Sequence, residues 1–239
     1  MDIRGFRSAV ETAFARQVDS LTACHDFRAL EDGRATPAQY DAFIENVARS
    51  HLRSPQLLAF LYALAPPAAA DDLRHNLLEE LGLEDASGRA HPDLLEDLLA
   101  GAGLGHRLPL VQAEADEDLR RIVVEPLLYG TLREVGLAAL TEIVAFEYML
   151  ARVSGRLARA LATHRGVPAP ALTWFTHHSE VDIRHAEQGL ADLAAYVEYY
   201  ELGEQDALTV VDMALRENVF ARRYFRDFVA PAAPAGSAP

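Results

Sequence analysis

The run Ala171–Leu202 limits the fold most, because it contains no proline and a single glycine, Gly189. A stretch of that kind reads as one helix. Thr131–His164 reads the same way and is expected to be the longest helix, bent near Ser154-Gly155. Helical spacing holds nearly everywhere else. Phe6, Val10, Phe14, Val18 and Leu21 lie close to helix spacing over Gly5–Ala23, before Glu31-Asp32-Gly33 breaks the chain. Thr36-Pro37 supplies an N-cap and a first-turn proline, and Tyr40, Phe43, Ile44 and Val47 follow as an apolar stripe.

Ser54-Pro55 starts another helix, which Pro66-Pro67 ends. Ala68–Leu81 is closed by Gly82, and the loop Glu84–Ala90 leads to a helix opening at His91-Pro92-Asp93 and ending near Gly101. Gly103, Gly105 and Pro109 mark a loop. Asp116–Leu128 is helical with a break at Pro126, and Glu204–Val229 forms the last helix. No strand pattern and no internal repeat is found. The expected fold is all-α, a compact bundle of seven or eight helices in one domain over 1–229. The tail 230–239 is too poor in bulky apolar residues to pack and is expected to be disordered.

Composition removes several function classes. The formal net charge is −14, which disfavours nucleic acid and anionic membrane surfaces as partners. Cys24 is the only cysteine, so one chain has no disulfide framework and no cysteine-based zinc or iron–sulfur site. The N-terminal MDIRGFRSAVETAF is charged and amphipathic, unlike a signal peptide, and no apolar run reaches the length of a membrane span. A cytoplasmic protein acting on a small molecule is expected, and a homodimer is a compatible assembly.

His178, Asp182 and His185 stand at i, i+4 and i+7 of the long helix, within about 60° of one another around its axis. Two imidazoles and a carboxylate on one stripe form half of a site for divalent iron, manganese or zinc. Such a stripe also occurs on solvent-facing helices, so the weight falls on further ligands from apolar faces. Glu147 is one, with Leu140, Ile143, Val144, Leu150 and Ala151 on its side of the helix. A carboxylate among hydrocarbon is costly unless it is paired, protonated or bound to a cation. Glu142, beside Ala138, Ala139, Ala145 and Phe146, competes for the same role. Asn76-Leu-Leu-Glu79-Glu80-Leu-Gly82, followed by His91, sets a carboxylate at one helix end and an imidazole at the next helix start. Together Glu80, His91, Glu147, His178, Asp182 and His185 supply enough donors for two metal ions. The chain has no Glu-x-x-His, the pair an ordinary ferritin-like site requires.

These blocks, Asn76–Gly82 with His91, Phe146-Glu147, and Phe175–Ala186, resemble the haem-oxygenase-like diiron oxidases, also called iron-containing redox enzymes. The resemblance implies a fold like haem oxygenase with two irons between core helices, dioxygen as co-substrate, and oxidation of a small molecule. It implies Glu80, His91, Glu147, His178, Asp182 and His185 as iron ligands, and the spacing from Glu147 to His178 fits the family and selects Glu147 over Glu142. Some N-oxygenating members add a carboxylate upstream of the Glu80 block. Here that region reads His51-Leu-Arg-Ser-Pro55, and Glu45 is the nearest acid. That places N-oxygenation behind desaturation or oxidative C–C cleavage. A free amino acid is the favoured substrate class, by the family's habits. The alternatives are oxidative decarboxylation of a fatty acid, or a metal-independent or non-enzymatic bundle like the thiamin-degrading enzymes. Phe146, Tyr148, Trp174 and Phe175 are candidates for the pocket wall, and Arg53, Arg133, Arg152 and Arg184 for holding a substrate carboxylate.

Overall fold

Two helices with buried faces, Leu132–Ala160 (α8) and Thr173–Tyr199 (α9), form the centre of the molecule. A computed structural model describes residues 2–84, 88–123 and 131–228, and only the backbone of 122–123 and 180–183. The expected disordered tail 230–239, the expected break at Pro126 and the expected ligand side chain of Asp182 lie outside the described residues. The other helices are Ile3–Ala23 (α1), His25–Glu31 (α2), Pro37–His51 (α3), Ser54–Ala63 (α4), Ala70–Glu80 (α5), His91–Gly101 (α6), Leu108–Val123 (α7), Glu204–Glu217 (α10) and Val219–Tyr224 (α11). No strand occurs among the described residues.

α8 is buried on nearly every face over its middle, from Val135 through Leu150, as a helix apolar all round must be. α9 runs antiparallel to it. A Cβ on Gly136 would strike the Tyr196 hydroxyl, and one on Gly189 would lie 2.6 Å from Val144 Cγ2. Gly189 therefore lets the two backbones approach one turn beyond His185. α8 stays helical through Ser154-Gly155 and passes into a wider turn at Leu161–Arg165, ended by Gly166 at φ 73°.

The all-helical class agrees with the sequence pattern, but the chain divides into more helices than seven or eight. Cys24 is extended and starts the short α2, whose first backbone N–H groups, His25 and Asp26, donate to Asp227 at 2.7 and 3.1 Å. Asn218 splits the expected last helix. Its side chain accepts from Ala221 N–H at 2.8 Å and caps α11. α7 begins at Leu108, earlier than expected, because Pro109 suits a first helical turn as well as a loop. At Thr36 the capping box forms as its sequence suggests: Gln39 N–H donates to the threonine Oγ1 and Gln39 Oε1 accepts from Thr36 N–H.

Candidate metal centre

The site draws on six elements, α3, α4, α5, α6, α8 and α9, and the sharpest local device is the end of α5. Gly82 N–H donates to the Glu79 carbonyl and Leu83 N–H to the Leu78 carbonyl, both at 2.9 Å. This is the paired closure that turns a helix end back on itself. Gly82 has φ 72°, and a Cβ there would lie 2.4 Å from the Arg89 carbonyl carbon. Only glycine meets both demands. The returning chain starts α6 at His91, whose Nδ1 lies 2.8 Å from Glu80 Oε1.

His178 completes this half. Its Nδ1 lies 2.7 Å from the Trp174 carbonyl, so that nitrogen carries the proton and Nε2 offers its lone pair. Nε2 stands 4.0 Å from Glu80 Oε1. Burial, reinforced by neighbouring His91, holds the His178 imidazole well below its ordinary pKa and therefore neutral. Burial alone would raise the Glu80 carboxyl, but His91 and the Ser54 hydroxyl, 2.5 Å from Oε2, hold it below the usual range. Glu80, His91 and His178 are all buried, and one donor atom from each lies within 4.8 Å of the others. Donors about 2.1 Å from a common ion stand roughly 3–4 Å apart, so a slight contraction closes the set. An ionised carboxylate and a neutral imidazole are the protonation states a divalent cation requires.

Glu147 and His185 line the same small cavity, of about 20 Å³, with Leu58, Ile143, Phe146 and Trp174 as its apolar wall. Glu147 Oε1 accepts from Asn76 Nδ2 at 2.7 Å. Burial pushes its carboxyl up, and the charges of Glu80 and Glu79 push the same way against His185 and Asn76. A cation would offset that accumulation of carboxylates. Glu142 faces elsewhere, close enough to Val219 N–H to accept from it, so the cavity holds Glu147 and not Glu142. His185 Nε2 lies 2.6 Å from Glu79 Oε2.

Five of the six residues singled out from sequence thus border one cavity, and the Asp182 side chain lies outside the described residues. Sequence reasoning missed four supporting groups. Ser54 was read only as a helix start. Asn76 and Glu79 stand in the Asn76–Gly82 block, but their spacing alone assigns them no role. Asp192 lies on the far side of Glu147 and His185, in a second cavity of about 10 Å³ that also includes Asp72, Asn76 and Gln188. Burial, then the charges of Asp72 and Glu147, push its carboxyl to about 7. Asp192 stands two turns beyond His185 on nearly the same stripe, a signal that was available. Of the proposed wall residues, Phe146 and Trp174 line the cavity, while Tyr148 packs on Phe14 and Phe175 on Phe43. The four candidate arginines have protein partners: Arg184 with Glu79, Arg53 with Asp116, Arg133 with Glu134, and Arg152 over the Tyr148 ring.

Comparison with known proteins agrees with this class of site. Residues 41–217 match the family of iron-containing redox enzymes, and the chain belongs to that family. It is also 30% identical over 135 residues to a 4-aminobenzoate synthase of Chlamydia pneumoniae, a match covering 53% of this chain and 57% of that relative. The match thus spans little more than half the length of the curated relative. Among the described residues, no helix is long and apolar enough to cross a membrane.

Proposed function

We propose that this chain is a non-haem diiron oxidase that uses dioxygen to oxidise a small molecule, with a free amino acid as the favoured substrate class. The observation that carries the reading is the convergence of Glu80, His91 and His178 on one buried point, in the cavity that Glu147 and His185 also border. Those five and Asp182 would hold two irons, which supply reduction of dioxygen and a strong oxidant. The chain's own residues prepare the place. His178 is kept in one tautomer by the Trp174 carbonyl, and Ser54 and Asn76 aim Glu80 and Glu147. Leu58, Ile143, Phe146 and Trp174 exclude water and give a C–H or N–H bond an apolar wall to lie against.

Glu45 is bound by Arg107 at 3.0 and 3.1 Å and does not border the cavity. This favours desaturation or C–C cleavage over N-oxygenation. A fatty acid undergoing oxidative decarboxylation is the alternative substrate. The activity in the relative's name, synthesis of 4-aminobenzoate, concerns a product bearing an amine and a carboxylate, which is in keeping with an amino-acid-like substrate. A thiol-dependent, metal-free reaction is disfavoured: burial pushes the Cys24 thiol up to about 11, and it lies at the α1–α2 junction, not in the cavity. Anaerobic loading with Fe(II), then oxygen exposure with a panel of amino acids and fatty acids, tests the proposal. Oxygen uptake that depends on one of these compounds, with an oxidised product in the mass spectrum, is expected. Iron-loaded protein that consumes no oxygen with any of them would count against it.

A further inference from the structure

Of the four imidazoles that line the cavity, the ligand set leaves out one. His51, the last residue of α3, is buried with Phe146, Trp174 and Phe220 stacked around it at ring separations of 4.0, 5.2 and 5.0 Å. Its Nε2 is hydrogen-bonded to the hydroxyl of Tyr224, itself buried on α11. Trp174 continues the contact inward: its ring lies 4.3 Å from that of His178, and its carbonyl holds His178 Nδ1. Tyr224, His51, Trp174 and His178 therefore form an unbroken line of contacts from α11 to the proposed ligands.

We propose that Tyr224 is a redox-active tyrosine serving that site, with His51 as its proton acceptor. The inference rests on the diiron reading above. In the step proposed, the Tyr224 O–H bond breaks and the proton forms a new N–H bond at His51 Nε2. One electron would leave the phenol along the Trp174–His178 line, its one-electron acceptor being the ferric iron that the site would hold after reaction with dioxygen. The product is a neutral phenoxyl radical and an imidazolium.

The surroundings suit this exchange and no simple acid–base one. Burial keeps the phenol protonated and the imidazole neutral, so at rest a hydroxyl faces a basic nitrogen with no charge on either. Removing an electron makes a phenol strongly acidic, and the proton then needs to travel only along an existing hydrogen bond. The cation whose charge acts on both groups is Arg223, which Asp118 meets at 3.2 Å and shares with Arg49. The rings of Phe146 and Phe220 pack on the pair and both groups are buried, which lengthens the life of a radical formed there.

The test is electron paramagnetic resonance on full-length protein loaded with Fe(II), exposed to oxygen and frozen within seconds, with iron content measured on the same samples. A tyrosyl signal is expected in the parent chain. It should vanish in Tyr224→Phe at unchanged iron content and persist in the control Tyr40→Phe, whose hydroxyl only caps the Leu30 carbonyl. His51→Gln should slow its appearance by about 100-fold, the scale of a positioned proton acceptor. An iron-loaded, oxygen-consuming chain with no tyrosyl signal, or a signal that survives Tyr224→Phe, overturns this proposal alone. A folded chain that takes up no iron overturns it together with the diiron reading.

Discussion

Glu79 Oε2 lies 2.6 Å from His185 Nε2, while the other oxygen of the same carboxylate accepts from Arg184 at 2.7 Å. Burial by itself would raise this carboxyl, but His185 and Arg184 outweigh burial and hold it at about 2. A carboxyl whose pKa is depressed in the fold stabilises the protein above its unfolded pKa, and that contribution disappears as pH falls through the folded value. The window here is about pH 4.5 down to 2. The full shift corresponds to about 3 kcal/mol, and solvent screening reduces it to the order of 1 kcal/mol. Glu79→Gln should therefore be less stable than the parent at pH 6 by that amount, with the difference gone near pH 2. Urea unfolding of the metal-free protein measures it.

Ser54 Oγ stands 2.5 Å from Glu80 Oε2 and 2.9 Å from the His51 carbonyl, and its single proton can serve only one of them at a time. Groups that aim a metal ligand typically matter 10–100-fold in metal affinity. Ser54→Ala is expected to keep its helix content and to lose iron to a chelator at a concentration roughly ten times lower than the parent. Unchanged iron retention would remove Ser54 from the site.

Glu142 carries the opposite sign to Glu79. Burial, partly opposed by Val219 N–H and Arg223, pushes its carboxyl to about 8, and its Oε2 has no hydrogen-bond partner among the described residues. A raised folded pKa means the native state binds the proton more tightly than the unfolded chain. Stability is then greatest below about pH 4.5 and declines as pH rises to about 8. Glu142→Gln, which carries no charge, should be the more stable protein at pH 8 by a few kcal/mol and show a flatter profile. A parent-like slope in the variant would contradict the assignment.

How far the sequence went is clearest at the ends of helices. Thr36 and Gly82 act through hydrogen bonds to residues within a few positions, so their signals are local and readable, and His91 is marked by Pro92 at a helix start. α2 is capped by Asp227 and α11 by Asn218, and the first of those partners is brought close only by the completed fold. The stripe holding His178 and His185 follows from helical period alone. The choice of which acid, Glu79 or Glu80, meets which imidazole does not, because both lie in the last turn of α5 and the return of the chain at Gly82 decides it. Ser54 and His51 come from two further elements, α4 and α3, and no spacing in the sequence places them at the cavity.

The approach of α8 and α9 can be tested without reference to chemistry. Gly189→Ala puts a methyl against Val144 with no space to receive it, and such overpacking typically costs about 1–3 kcal/mol. Because His185 stands one turn away, the same change should also weaken iron retention. Val144→Ala in the Gly189→Ala background should restore much of both; independent losses in the double variant would show that the contact is not the cause.

Iron content tests the central claim most directly. Protein loaded anaerobically with Fe(II) and freed of excess metal is expected to hold about two irons per chain. His178→Ala should lose at least one of them while keeping the parent's helical circular dichroism. A folded parent chain holding no iron after loading, or His178→Ala retaining the parent's full complement, would contradict the account.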